Sequence, residues 1–313
     1  MDNLPLVTIG AINYNNAKYL IETLESIKAQ TYSNLELVIV DDCSTDNSVE
    51  LINEWLQDYD KPHKLVIHEK NYGVCKTCNS TLKNAHGKYY NLIATDDIML
   101  PDKIKFQVEI LEKSVADVCA VYSDAYLIKE DSSPRYGLYI QMYRHLQELP
   151  NGDIYQILLE GNFLPAMAPL IKMEHLNKVG LFDESLAFED YDMWLRLAKD
   201  YKFVYSDYIS VKYRMRRDSL VVTIKNWNPT SIKIYLKHIA HSQIALIQIL
   251  KIARDSYRWN DKESLQLLEA ANIESKFLRC LLMMDKLPIN RWIGLKILER
   301  LFNQTPKFKN FIK

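Results

Sequence analysis

The sequence predicts an α/β protein, with a mostly parallel central sheet flanked by helices on both faces and an all-helical C-terminal extension. Three observations predict it. Apolar runs of strand length alternate with helical patterns through the larger, N-terminal part of the chain. Two of these runs end in paired carboxylates, Val40-Asp41-Asp42 and Thr95-Asp96-Asp97, as expected of strands whose last residues emerge at a sheet's carboxyl edge. From Pro229 onward strand signals stop and long helical patterns take over.

The first apolar run, at 7–12, reads as a strand and is followed by a helical pattern at 18–30. The run at 35–40 ends in Asp41-Asp42, and the polar turn Ser44-Thr45-Asp46 supplies a cap for the amphipathic pattern at 48–58. A strand at 64–68 leads through Gly73 to a helix at 74–85. The run at 89–94 ends in Asp96-Asp97, and Pro101 marks the opening of a helix at 102–114. Further strands follow at 118–122, 168–172 and 202–205, with a helix at 190–199 before the last. The C-terminal patterns fall at 232–256, 261–285 and 289–302, so a boundary near Lys225 divides the chain into domains 1–225 and 226–313.

At 313 residues the chain can bury a sizeable core, and a formal net charge of −1 gives no electrostatic case for nucleic acid as a partner. The chain reaches a strand by Leu6 without a basic leader and apolar stretch. No window approaches the roughly 20 apolar residues that span a bilayer. These readings predict a cytoplasmic protein. Five cysteines, odd in number and widely spread, argue against a disulfide framework. Cys75-Lys76-Thr77-Cys78 has CxxC spacing but no second pair, so two small residues on a packed helix are favoured over redox or zinc chemistry. The segment 286–313 carries seven Lys or Arg and only Glu299 as an acid. It suits peripheral contact with an anionic membrane, although apolar positions around most of its helix favour burial.

Asp96-Asp97 places two like charges together, which calls for a compensating cation. Mg²⁺ or Mn²⁺ needs only one or two carboxylates when phosphate oxygens complete its shell, so the pair reads as half of a metal-diphosphate site. The competing reading is that one of them caps the helix after Pro101. The second pair, Asp41-Asp42, at the end of another strand favours a shared crevice.

These residues resemble the inverting glycosyltransferases of family two, whose nucleotide-binding fold is called GT-A. The resemblance runs from about Leu6 to about Ser219. It rests on Val7-Thr8-Ile9 with Asn13-Tyr14-Asn15, Ser26 to Tyr32, Val40-Asp41-Asp42 with Ser44-Thr45-Asp46, Asn71-Tyr72-Gly73, Thr95-Asp96-Asp97, and Glu189-Asp190 with Asp192-Met193-Trp194.

The resemblance implies a metal-dependent, inverting transfer from a nucleoside-diphosphate sugar, with UDP-sugar the leading donor. The acceptor would be a hydroxyl of a glycan or lipid-linked molecule in surface polysaccharide synthesis. It assigns Asn13 and Tyr14 to the nucleotide, with Tyr14 against the base. Asp42 would accept from a base N–H, Asp96 would reach the ribose, and Asp97 would bind Mn²⁺ or Mg²⁺. Asp190 would be the general base that deprotonates the acceptor. The chain departs from the family pattern at Ala94, where many members carry an acid, and at Cys78, where many carry arginine; Lys76 nearby offers a replacement charge. Arg216 stands where the family has a histidine, and a guanidinium clamps phosphate but does not ligate a cation. A sugar-nucleotide pyrophosphorylase would need a Gly-rich loop at the first strand, and Ile9-Gly10-Ala11-Ile12-Asn13 is too poor in glycine. A non-catalytic nucleotide-sugar-binding module is the remaining alternative.

Overall fold

The computed structural model describes residues 4–303 apart from His145 and Gln147. The chain divides into two compact units, Met1–Thr223 and Ile224–Lys313. The first unit begins β1 (Val7–Asn13), α1 (Ala17–Lys28), β2 (Leu35–Asp41), α2 (Ser48–Leu56), β3 (His63–Ile67), α3 (Val74–Lys83), β4 (Tyr89–Ala94), β5 (Ile98–Met99) and α4 (Lys103–Lys113). It continues with β6 (Val118–Tyr122), β7 (Ala125–Ile128), β8 (Pro134–Leu138), α5 (Tyr139–Arg144), α6 (Tyr155–Glu160), β9 (Leu170–Lys172) and α7 (Met173–Val179). It ends with α8 (Asp190–Asp200), β10 (Lys202–Tyr205), β11 (Val211–Arg214) and α9 (Leu220–Thr223). The second unit contains α10 (Trp227–Leu236), α11 (Gln243–Trp259), α12 (Lys262–Ala270), α13 (Lys276–Asp285) and α14 (Arg291–Asn303).

A seven-stranded sheet, ordered β10-β6-β9-β4-β1-β2-β3, forms the core of the first unit. β1 is buried along its whole length and pairs in parallel with β2 and β4, from Val7 opposite Leu35 and Tyr89. Leu20, Leu24 and Ile27 of α1 recur at helical spacing and are fully buried with Val7, Ile9 and Leu37 in one cluster. Each such side chain contributes roughly 1.5–3 kcal/mol on leaving water. On another face, α3 packs so closely that a Cβ on Gly10 would come within 2.9 Å of Thr81 and 2.7 Å of Tyr90 Oη. That position needs glycine for space.

A smaller sheet, ordered β5-β11-β7-β8, is absent from the sequence expectation. Its strands are two to five residues long and are defined by pairing with distant partners, such as Val211 opposite Met99. The predicted helix 232–256 is two helices, because Ser242 Oγ accepts from the Ile244 N–H at 3.1 Å and starts α11 afresh. The predicted helix 261–285 is also two. Asn272, at φ +47°, leaves the helical region, and Ser275 Oγ caps α13 by accepting from the Leu278 N–H. Among the described residues no helix is long and apolar enough to cross a membrane.

Candidate active site

Topology brings the predicted site residues to one edge. β1, β2, β3 and β4 are parallel, so Asn13, Asp41, Asp42 and Thr95 to Asp97 all follow strand ends at the carboxyl edge. β9 runs antiparallel to both β4 and β6, and β10 is parallel to β6, so β10 points the same way as β4. α8 leads directly into β10 and therefore runs against the strands. Its first residue, Asp190, thus stands at the carboxyl edge as well. The segment entering β9 descends from that edge, held by Asn91 Nδ2 donating to the carbonyls of Met167 at 3.0 Å and Pro169 at 2.7 Å.

At the β1 and β2 ends, Asp41 is fully buried and fixes the turn that follows it. Its Oδ2 accepts from Asn13 Nδ2 at 2.6 Å and from Ser44 Oγ at 2.7 Å, while Oδ1 accepts from the Ser44 N–H. Tyr14, 46% exposed, stands free beside them. Asp42 is 3% exposed and faces the protein more than the sequence suggests. Its carboxylate takes His68 Nδ1 at 2.7 Å, the Tyr72 N–H at 2.9 Å and the Gly73 N–H at 2.8 Å. Gly73 has φ +88°, a conformation that suits glycine, and this lets consecutive amides converge on the carboxylate at the start of α3. Lys76 places its ammonium 3.6 Å from the Tyr72 ring centroid in the same turn.

At the β4 end the capping alternative fails. α4 begins after Asp102, and neither Asp96 nor Asp97 bonds to its first amides. Asp97 is 5% exposed; its Oδ1 accepts from the Arg214 N–H at 2.8 Å, and among the described residues no hydrogen bond reaches its Oδ2. Burial, and then the neighbouring Asp96 charge, push the Asp97 carboxyl well above the usual range. Asp96 is raised too, by burial, with Arg216 acting in the opposite direction. Arg216 Nη1 lies 2.9 Å from Asp96 Oδ2 and also donates to Asn16 Oδ1. Asn16 in turn donates to Thr95 Oγ1 at 3.2 Å, and Thr95 donates to Asn13 Oδ1 at 2.5 Å. One network therefore joins the β1, β4 and β11 ends. Behind it, Arg214 is 1% exposed and ties together the Asp96 carbonyl, Ser132 Oγ and Glu22 Oε2.

Asp190 is half-buried at the start of α8, where its Oδ1 accepts from the Tyr191 N–H at 2.7 Å and its Oδ2 from Asn162 Nδ2 at 2.8 Å. Burial raises its pKa, and these two bonds restrain the rise. Glu189 is pushed up to about 8 by burial and then by the Asp190 charge. The Asn162 and Tyr191 donors favour the charged form of Asp190, the form a general base requires. The Cys75 and Cys78 thiols of α3 are raised by burial first and then by Glu189, so they are inert core groups beside the acidic pair.

Sequence reasoning missed Asn16, Asn162 and His68. Each acts through a partner distant in sequence or across a loop, and a lone Asn or His carries no pattern of its own.

Among the described residues no three His, Cys, Asp or Glu side chains gather to hold a metal ion. The donor set is an Asp97 carboxylate with one oxygen unbonded, beside Asp96. That fits a hard cation whose remaining ligands come from a diphosphate.

Residues 8–163 match the family model described as Glycosyl transferase family 2. An uncharacterized glycosyltransferase of Rickettsia prowazekii, RP339, is 30% identical over 71% of this chain and 68% of its own length. The chain belongs to glycosyl transferase family 2. An uncharacterized glycosyltransferase of Rickettsia felis is 31% identical over 72% of this chain, which spans only 36% of that relative. The Bacillus subtilis protein described as putative teichuronic acid biosynthesis glycosyltransferase TuaG is 27% identical over 62% of this chain and 73% of its own. Among solved structures, S. aureus TarS 1-349 in complex with UDP-GlcNAc superposes with a TM-score of 0.63 at 15% identity, covering 95% of this chain and 91% of that one. The mannosyltransferase PcManGT from Pyrobaculum calidifontis, in complex with GDP-Man and Mn²⁺, gives 0.59 at 18% identity, covering 97% and 89%. The family-2 chain thus has a GT-A fold.

Proposed function

We propose that this chain is a metal-dependent inverting glycosyltransferase. It moves a sugar from a nucleoside-diphosphate donor, a UDP-sugar foremost, to a hydroxyl of a glycan or lipid-linked acceptor in surface polysaccharide synthesis. The observation that carries this reading is the meeting of Asp42, Asp96, Asp97 and Asp190 at one sheet edge, with Asp190 held by Asn162 and the Tyr191 amide. The UDP-GlcNAc bound by TarS, the GDP-Man and Mn²⁺ bound by PcManGT, and the teichuronic acid role in TuaG's name support it.

In this mechanism Tyr14 packs on the base while Asn13 lines the nucleotide side. His68 and the Tyr72 and Gly73 amides hold Asp42, with the Tyr72 N–H shared between both carboxylate oxygens, and a base N–H takes the place of one of these shared contacts. Asp96 takes the ribose hydroxyls, and Lys76 and Arg216 supply positive charge towards the diphosphate. Asp97 Oδ2 would hold Mn²⁺ or Mg²⁺, which when bound supplies Lewis-acid charge neutralisation for the leaving diphosphate. Asp190 removes the acceptor's proton as that oxygen bonds the anomeric carbon. The bond to the diphosphate breaks with its electron pair, and a single displacement inverts the centre.

We place the activity at the cytoplasmic side of a membrane. Trp292, Ile293, Ile297 and Leu301 of α14 are exposed while Leu295 and Leu298 are buried, and Lys296 and Arg300 flank the outward stripe. Co-sedimentation with anionic vesicles should fall on Ile293→Ser/Ile297→Ser substitution, and equal partitioning ends the membrane reading. The donor reading is tested by thermal shift against UDP, GDP, CDP and dTDP with and without Mn²⁺. One nucleotide should stabilise the wild type more with Mn²⁺, and Asp97→Ala should abolish the metal increment. No stabilisation by any nucleotide refutes the proposal.

A further inference from the structure

A cavity of about 790 Å³ opens beside the turn between β7 and β8. Five cations line it, Lys18, Lys129, Arg135, Arg216 and Arg217, against the carboxylates of Glu130 and Asp131. In a chain of net charge −1, such a concentration is not a consequence of composition.

Local pairing leaves much of this charge unspent. Arg216 is committed to Asp96 and Asp218, each at 2.9 Å. Lys18 lies 3.7 Å from Glu130 Oε2, and the exposed Asp131 accepts from the Ser133 N–H at 3.0 Å beside the Lys129 charge. Among the described residues no ion pair reaches Lys129, Arg135 or Arg217; Arg135 Nη1 meets only Met215 Sδ. The wall is also firmly built. The Lys129 N–H donates to the Ser133 carbonyl at 2.9 Å, and Arg214 beneath donates to the Lys129 carbonyl and Ser132 Oγ. Arg216 forms both part of the cavity and the partner of Asp96, so the cavity adjoins the candidate reaction centre.

Three unpaired cations in one open cavity suit a group that accepts several hydrogen bonds and carries one or two negative charges. A phosphate meets that description, and Arg forks grip it bidentately. The geometry points to a phosphate subsite for the acceptor: the molecule glycosylated carries a phosphate mono- or diester that Lys129, Arg135 and Arg217 hold. This rests on the sugar-transfer reading above. The phosphate belongs either to a lipid carrier or to a glycan repeat.

The full chain, saturated with the nucleoside diphosphate selected by the thermal-shift screen, is titrated calorimetrically with glycerol 3-phosphate, with glycerol as the neutral control. Glycerol 3-phosphate should bind and glycerol should not. Lys129→Gln/Arg135→Gln should weaken phosphate binding about tenfold or more while nucleotide affinity stays within about twofold. Farnesyl phosphate distinguishes the sources: tighter binding than glycerol 3-phosphate assigns the lipid carrier, and equal binding assigns the glycan. The inference is overturned if glycerol 3-phosphate fails to bind the saturated wild type, competes with the nucleotide, or binds the variant equally well. If no nucleotide binds at all, the sugar-transfer reading falls, and the same titration without nucleotide still decides the subsite.

Discussion

Glu189→Gln should make the protein more stable in alkali and leave it unchanged in acid. Burial and the Asp190 charge lift the Glu189 carboxyl from 4.5 to about 8, so the folded chain retains a proton there that the unfolded chain releases. A raised folded-state pKa contributes stability that is fully present below pH 4.5 and is lost as pH rises through about 8. At about 1.4 kcal/mol per unit the whole shift corresponds to roughly 5 kcal/mol. Relaxation and partial solvent access reduce the expected effect to about 2 kcal/mol. Glutamine keeps the shape and cannot titrate. Urea unfolding of the wild type and Glu189→Gln at pH 5 and pH 9, followed by tryptophan fluorescence, reads Glu189 together with its effect on Asp190, because the titrations elsewhere are common to both proteins. The variant should lose about 2 kcal/mol less than the wild type between the two pH values. Parallel losses would refute the raised Glu189 carboxyl.

Asn162→Ala removes a bond to the ionised form of Asp190, so the acidic limb of the kcat profile should move up by about one pH unit; an unmoved limb denies Asn162 that role. Arg214→Met strands the Asp96 carbonyl and breaks the buried network, at a cost of about 3 kcal/mol in equilibrium unfolding. A loss below about 1 kcal/mol would show that the network is not structural. Lys103 is fully buried, donating to Gln107 Oε1 at 2.6 Å and to the Ala168 carbonyl at 2.8 Å, and burial pushes its pKa well below 10.5. Its depressed pKa makes wild-type stability rise with pH up to the unfolded lysine's value. Lys103→Met should lack that rise between pH 7 and 9.5 by melting temperature, and an identical slope would contradict the burial argument.

The main sheet was legible because each strand carries its own signal. Strands at 89–94, 118–122 and 202–205 coincide with β4, β6 and β10 in both bounds, since buried parallel strands are continuous apolar runs. β5, β7, β8 and β11 were not legible: β5 and β11 are defined by partners far along the chain, β8 is largely exposed and has no apolar run, and β7 forms its sheet with β8 and β11. The carboxylates were visible as pairs at strand ends. What each pair does locally was not. Asp42 looks from sequence like a free acceptor, yet His68 and the Tyr72 and Gly73 amides occupy it. Asp190 looks like a helix-end acid, and only the fold supplies Asn162. In the C-terminal unit the apolar period continues across the caps at Ser242 and Ser275, which hid two helix breaks.

The most direct measurement of the central claim is nucleotide release from the sugar nucleotide by Asp190→Asn. Asparagine preserves shape and cannot take the acceptor's proton. Turnover should fall by about 10²–10⁴ while nucleotide affinity by thermal shift matches the wild type. Turnover within about tenfold of wild type, with affinity intact, would contradict a reaction run by this carboxylate.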